Sequence, residues 1–304
     1  TEKLHKDDTD LLFITFYGST SSEETIDAVK EIRNITSGSV RLGGMSSMVL
    51  DTMNLSEKEI TIYIAIAVVL CLIVLSVFLD SYIVPGLLLL NIGCAIVFNL
   101  GTNVFLGNIS YITKALVAVL QLGVTTDFSI FLYHKYEQAK LKVKTNDEAM
   151  TLAIGDTLVS IAGSSLTTIA GFLALCTMQL TLGSDIGIVM AKGVFIGVLS
   201  TVTIFPAFLL VFDKLVFKTK HKPIIPSFNV VKNFVVKHYK IILLVALVIA
   251  YPAYYGNAHV KSYYNLTKDL PQDLKSCVAN SELSDEFDLV ASQVILVNKD
   301  IKEN

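Results

Sequence analysis

Between Ala115 and Tyr133 the chain reads ALVAVLQLGVTTDFSIFLY, an apolar and hydroxyl-bearing run holding a single carboxylate, Asp127. A helix needs about 20 apolar residues to cross the hydrocarbon of a bilayer, and this run is of that length. An ionised side chain at such a depth costs from about 3 to above 10 kcal/mol, so it is kept where it has a partner, a cavity or a task. The stretch therefore supports two readings together: a membrane helix, and a proton-binding group inside it. Desolvation disfavours an ionised carboxyl and a nearby cation favours it. A group that alternates between those settings takes up and releases a proton near neutral pH.

Working outward, five more runs meet or approach the same length: Ile60–Leu79, Tyr82–Leu106, Leu158–Leu180, Ile186–Phe212 and the shorter Ile241–Tyr255. With 53% of residues apolar and only 17% charged, the composition is that of a chain whose solvent is largely lipid. A net charge of −3 supplies no basic field for nucleic acid. Lysines crowd two loops, one with Lys135, Lys140, Lys142 and Lys144, the other with Lys214, Lys218, Lys220, Lys222, Lys232, Lys237 and Lys240. The loops around 107–111 and 181–185 contain no lysine or arginine, so the positive-inside rule puts the lysine-rich loops in the cytoplasm and both ends of the chain outside.

The expected fold is a membrane all-α helical bundle with partial α+β exterior domains at both ends. Residues 1–58 read as a βαβ-like half domain, with strands at Leu11–Phe16 and Val40–Leu42 flanking a helix over Ser21–Ile35. Residues 59–213 hold five spans, 214–239 form a cytoplasmic linker and 240–257 a sixth span. Residues 258–304 open a second exterior domain, with a turn and polar helix over Pro271–Phe287 and a strand at Ser292–Val297. Because the chain starts at Thr1 and stops in a polar segment, it reads as a piece of a longer polypeptide, with an earlier span or signal expected before it.

Several residues near Asp127 are candidates for work on its proton. Thr126 adjoins it. Thr167 and Thr168 lie on a stripe of small and hydroxylated residues that includes Ser160, Gly163, Ser164 and Gly171. Their hydroxyls would either reach a carboxyl on a neighbouring helix, directly or through water, or bond their own backbone. Gly123, Gly163, Gly171, Gly193 and Gly197 are expected to pack helices closely, the last two by the small-xxx-small spacing that lets backbones approach. Lys114 and Lys192 are the cations available to Asp127, and both lie too near the outer end, where such side chains snorkel outward. Asp51 and Asp185 read as ordinary loop acids. The cysteines show no pairing or metal-ligand spacing, and N-x-[ST] triplets at Asn34, Asn54, Asn108 and Asn265 are read as chance. No nucleophile–base pair, phosphate loop or metal cluster suggests an enzyme, and no cofactor is implied beyond the proton as coupling ion.

Taken in order, these motifs resemble the MMPL branch of the resistance-nodulation-division superfamily. The resemblance rests on Gly123-x-x-x-Asp127-Phe128-x-x-Phe131 followed by Lys135-Tyr136-Glu137. It extends to Ser165-Leu-Thr167-Thr168-x-x-Gly171-Phe172, to Gly193-x-x-x-Gly197 and to Phe205-Pro206-Ala207. Gly43-Gly44 through Asp51 looks like that family's junction between exterior domain and membrane helix, and Asp269-Leu-Pro271 onward like the opening of its second exterior domain. The resemblance implies a plasma or inner membrane transporter of about twelve helices in two repeats, driven by the proton gradient. Its cargo would be lipids, drugs or other amphiphiles, and its partners membrane lipids and the remainder of the same polypeptide, with a homo-oligomer also compatible. It makes Asp127 the proton carrier of the first repeat. Where the family usually follows this aspartate with tyrosine, Phe128 has no hydroxyl to share the proton. Two rival readings are a lipid- or sterol-sensing bundle and a proton-driven accessory to protein secretion.

Overall fold

A computed structural model describes residues 5–6, 9–36, 40–107, 109–221, 229–260 and 270–287. The chain forms two compact units, Ser56–Tyr251 and a second made of Thr1–Leu55 with Pro252–Asn304.

Among the described residues six helices are long and apolar enough to cross a membrane. They are α2 (Met45–Phe78), α3 (Ile83–Gly101, extended by a 3-10 turn at Thr102–Phe105), α4 (Tyr111–Lys140), α5 (Asn146–Ala174, ending in a 3-10 turn at Leu175–Thr177), α6 (Thr181–Val211) and α8 (Asn229–His259). Each coincides with one of the apolar runs: α4 and α8 continue past both ends of theirs, α2, α5 and α6 start before theirs, and α3 stays within its run. A helix does not stop where its apolar stretch stops, so polar turns such as 134–140 and 146–157 extend it beyond the hydrocarbon. Pro206 lies inside α6, a position that membrane helices tolerate. In α8 the helical dihedrals break at His238, just before the apolar run.

In the larger unit α6 packs against α3, α4 and α5, and α4 also packs against α3 and α5. The main core lies at the lysine-rich end, where Leu75, Leu79, Leu88, Leu132, Tyr133, Tyr136, Phe205 and Leu209 are buried together. Short α7 (Asp213–Lys218) follows α6 and buries Val216 in the same core.

The smaller unit contains α1 (Glu23–Ile35), the start of α2 and α9 (Lys275–Phe287). Ser22 caps α1 by accepting the Thr25 N–H, and Glu23 and Glu24 stand in its first turn, where the helix dipole favours acids. Ile26, Val29 and Leu50 form its core. The helices over Ser21–Ile35 and Pro271–Phe287 are present as expected. The strands are not: Leu11–Phe16 and 40–42 carry no regular structure. Leu12 and Phe13 stand exposed, and a β-type run becomes a strand only beside a hydrogen-bonding neighbour. Strands among the described residues are confined to β1 (His5–Lys6) and β2 (Thr9–Asp10), an antiparallel ladder of two residues each, besides an isolated bridge between Ser81 and Lys220. The expected βαβ arrangement is thus not observed. The expected strand at Ser292–Val297 lies outside the described residues.

Candidate functional site: the two faces of α4

The N-terminal end of α4 is fixed by its cap. Ser110 Oγ accepts the Ile112 N–H, and Asp185 Oδ2 accepts from Ser110 N at 2.8 Å and from Thr113 Oγ1 at 2.6 Å. Asp185 is therefore not a loop acid. It sits in the first turns of α6 and places its charge at the positive end of the α4 dipole.

From there one face of α4 presents Gln121, Thr125, Ser129 and Tyr133, one turn apart and each no more than 1% exposed. Asn99 of α3 donates to Gln121 Oε1 at 2.9 Å, and Gln121 Nε2 donates to the Gly193 carbonyl at 3.1 Å. Below, Asn91 Nδ2 donates to Ser129 Oγ at 3.2 Å, Ser129 and Thr201 share a 3.0 Å bond, and Ser200 donates to Asn91 Oδ1 at 2.6 Å. Tyr133 OH donates to Asp80 at 2.5 Å. Polar groups in hydrocarbon need partners, and here α3 and α6 supply most of them.

The opposite face carries Asp127. With Val124, Phe128 and Phe131 of α4, and Ser160, Ile161, Ser164 and Thr168 of α5, it lines a cleft of about 360 Å³. The Asp127 side chain is exposed, and no hydrogen bond or ion pair joins it to another described residue. Phe128, at the cleft wall, is also part of an apolar cluster with Ile161 and Val194. One turn toward the lysine-rich end, the Lys135 ammonium lies 5.8 Å from the centre of the Phe131 ring.

Of the residues singled out in the sequence, Asp127, Phe128 and Thr168 meet at this cleft, whereas Thr126 and Thr167 do not line it. All three threonine hydroxyls bond their own helices: Thr126 to the Leu122 carbonyl, Thr167 and Thr168 both to that of Ser164. Of the two readings left open for these hydroxyls, the backbone one describes this conformation. Ser160 and Ser164, noticed only as part of a small-residue stripe, contribute to the cleft instead.

The glycines divide in the same way. A Cβ on Gly193 would lie 2.5 Å from Asn99 Nδ2, and one on Gly197 would lie 2.6 Å from Thr125 Oγ1. These two glycines are notches that admit polar side chains, not seams between bare backbones. Gly123, Gly163 and Gly171 have open space where a Cβ would stand, so they pack against nothing among the described residues. Lys192 does not serve Asp127. Its ammonium donates to Asn99 O at 2.9 Å, Thr102 Oγ1 at 3.0 Å and Asn103 Oδ1 at 2.5 Å, a cation at the negative C-terminal end of α3. Asn91, Asn99 and Gln121 had passed unremarked in the sequence. The signal for them was available: amides are rare inside apolar spans and need partners when they occur.

The lysine-rich end of the bundle holds a compact charge network. Lys140 pairs with Asp213 at 2.5 Å, and Asp213 also accepts from Tyr136 OH at 3.2 Å and Asn146 Nδ2 at 2.7 Å. Lys220 pairs with Glu137 and lies 3.8 Å from Asp80. Burial alone would raise the Asp213 carboxyl, but the hydrogen bond and charge of Lys140, with Asn146 and Tyr136, outweigh it and hold the group below its ordinary value. Tyr136 and Glu137, quoted for the family resemblance, are both members of this network.

The sequence matches the model of the MMPL family over residues 5–236. It is 29% identical over 210 residues to the probable transport protein MmpL12 of Mycobacterium tuberculosis, covering 64% of this chain and 18% of that protein. It is 24% identical over 269 residues to the siderophore exporter MmpL5 of the same organism, covering 84% and 28%. It is 31% identical over 161 residues to the putative membrane protein ActII-3 of Streptomyces coelicolor, covering 50% and 22%. The chain thus spans less than a third of the length of these relatives. With six helices fit to cross a bilayer and a family match over most of its length, the chain is a multi-pass membrane protein and belongs to the MMPL family.

Proposed function

We propose that the chain is the proton-binding portion of a proton-motive-force-driven transporter of the plasma or inner membrane, one that exports lipids, drugs or other amphiphilic molecules. The observation that carries this reading is Asp127: a carboxylate well inside a membrane helix, facing a cleft and bonded to no other described residue. A structural carboxylate at that depth would be paired, as Asp80 and Asp213 are at the bundle end. An unpaired one is free to exchange its proton with water in the cleft. The serine hydroxyls of Ser160 and Ser164 and that of Thr168 hydrate the cleft wall and position that water. Phe128 does not share the proton, since its ring is committed to the packing between α4, α5 and α6. The cargo class rests on family membership and on relatives named as transport proteins, one of them a siderophore exporter.

The test uses the full-length protein in liposomes under an imposed pH gradient, comparing proton flux and movement of a lipid probe in the parent and in Asp127→Asn. The asparagine is nearly isosteric and keeps a polar group in the cleft, so a folded variant is expected to lose both activities by at least 100-fold. If both persist unchanged, Asp127 is structural and the lipid-sensing reading replaces this one.

A further inference from the structure

Asp51 stands on α2 outside its apolar run and only 7% exposed. Arg33 of α1 reaches it with both terminal nitrogens, Nη1 to Oδ1 and Nη2 to Oδ2 at 3.1 Å, while the same guanidinium donates to Ser47 Oγ. Ser47 Oγ donates in turn to the Leu42 carbonyl at 2.7 Å. The second carboxylate oxygen also accepts the Ser276 N–H in the first turn of α9, at 2.9 Å. One buried carboxylate thus ties together two segments more than 200 positions apart in sequence, on a third element, α2. Around it the same two segments meet again. Asn280 Oδ1 accepts the Gly44 N–H at 2.7 Å, Arg41 pairs with Glu282, and a Cβ on Gly43 would collide with Leu283 and Asn280. Gly44 has φ +92°, a conformation in which a side chain would be strained, so the turn entering α2 is itself shaped for this approach.

We infer that Asp51 is a coupling joint: it makes the two exterior segments and the outer end of α2 move as one body, and so passes a shift of that helix to the exterior part of the transporter. This rests on the transport reading above. α2, which carries Asp51, contains no glycine or proline along its 34 residues. A bidentate arginine pair fixes orientation as well as distance, which a single lysine contact would not. Removing either partner leaves a buried charge uncompensated, so the joint is all-or-none. Asp51 is a positioning residue, remote from proton chemistry.

The experiment uses the full-length protein with Cys277→Ser and the pair Arg41→Cys and Glu282→Cys, cross-linked by a short bifunctional thiol reagent, with and without Asp51→Ala. Asp51→Asn, which keeps an acceptor for the Ser276 amide, serves as the milder variant should the alanine fail to fold. The expected result is a cross-link yield at least fivefold lower without the carboxylate and cargo movement at least tenfold lower. Proton uptake at Asp127 after a pH jump should be unchanged, and Arg33→Lys should fall between. Cross-linking and transport within twofold of the parent would overturn the joint. Lost cross-linking with transport intact would overturn the coupling role. A parent that moves no cargo sinks the transport reading instead, and the cross-link yields still decide the joint.

Discussion

The two faces of α4 share a sequence period and differ in everything else. Gln121, Thr125, Ser129 and Tyr133 recur every fourth residue, and so do Gly123, Asp127 and Phe131, offset by two positions and hence on nearly opposite sides of the helix. On the first face the neutral polar groups are no more than 1% exposed; Gln121 and Ser129 are hydrogen-bonded to α3 and α6 and Tyr133 to Asp80, while the Thr125 hydroxyl packs against Gly197 without a hydrogen bond. On the second, the one charged group is exposed to a cleft with no partner described. A hydrogen-bonded network in hydrocarbon is stiff, because moving any bonded member strands the others. An unsatisfied carboxylate can change protonation without dismantling anything. The difference assigns rigidity to one side of the helix and exchange to the other.

The largest expected effect that breaks this contrast is on function at the cleft face: Asp127→Asn removes transport while the midpoint of thermal unfolding in detergent stays within a few degrees of the parent. The packed face should answer in the reverse sense. Gly197→Leu forces a side chain into space held by Thr125, and overpacking of this kind costs about 1–3 kcal/mol. It should appear as a lower unfolding midpoint in any assay, whether or not a pH gradient is applied. If Gly197→Leu folds with parental stability, the notch is not tight and the rigid role of that face fails.

Why one face was readable in the sequence and the other was not follows from the price of burying charge. A lone aspartate in an apolar run stands out against every neighbour, so Asp127 declared itself. Asn91 and Gln121 are neutral and isolated in sequence, and their meaning lies in partners tens of residues away. Only the fold brings Asn91 to Ser200 and Gln121 to Asn99. The spans were legible for the same reason as Asp127, since helix length is set by the bilayer. Their ends were not, because α4 runs on to Lys140 and α5 begins at Asn146, in turns that hydropathy counts as loop. The strand reading of Leu11–Phe16 failed because a β-type run states only a local preference, and a strand also needs an edge to pair with. Asp51 and Asp185 were misplaced as loop acids because nothing local reveals that Arg33, Ser276 or Thr113 converges on them.

A smaller effect tests the end of the rigid face. The Asp213 carboxyl is held below its ordinary value by Lys140 and its neighbours, so the folded state binds this proton less readily than the unfolded chain. The stability this contributes is fully present above the ordinary carboxylate pKa of about 3.9 and is lost as pH falls through the lower folded value. Asp213→Asn should therefore lower the unfolding midpoint at neutral pH by the equivalent of about 1 kcal/mol, with the gap to the parent closing below about pH 4. A gap that stays constant with pH would mean that Lys140 and Asp213 hold the bundle end by packing alone.

The smallest expected effect falls on the open glycines, and it sharpens the contrast most. Gly163 lies on α5 beside Ser164, with nothing near the position of its missing Cβ. If that face meets only lipid or water, Gly163→Ala does no harm and gains the helix propensity of alanine, about 0.5–1 kcal/mol, read as a slightly higher unfolding midpoint. The same holds for Gly123, one turn from Asp127 on the cleft side. A different pattern has a different meaning: stability up in the chain studied alone, yet transport down in the full-length protein, would show that the methyl obstructs an approach made by the remainder of the polypeptide during turnover. The exchanging face of α4 would then be a moving contact as well as a proton site, and the glycines beside Asp127 would owe their place to that motion, not to packing within this bundle.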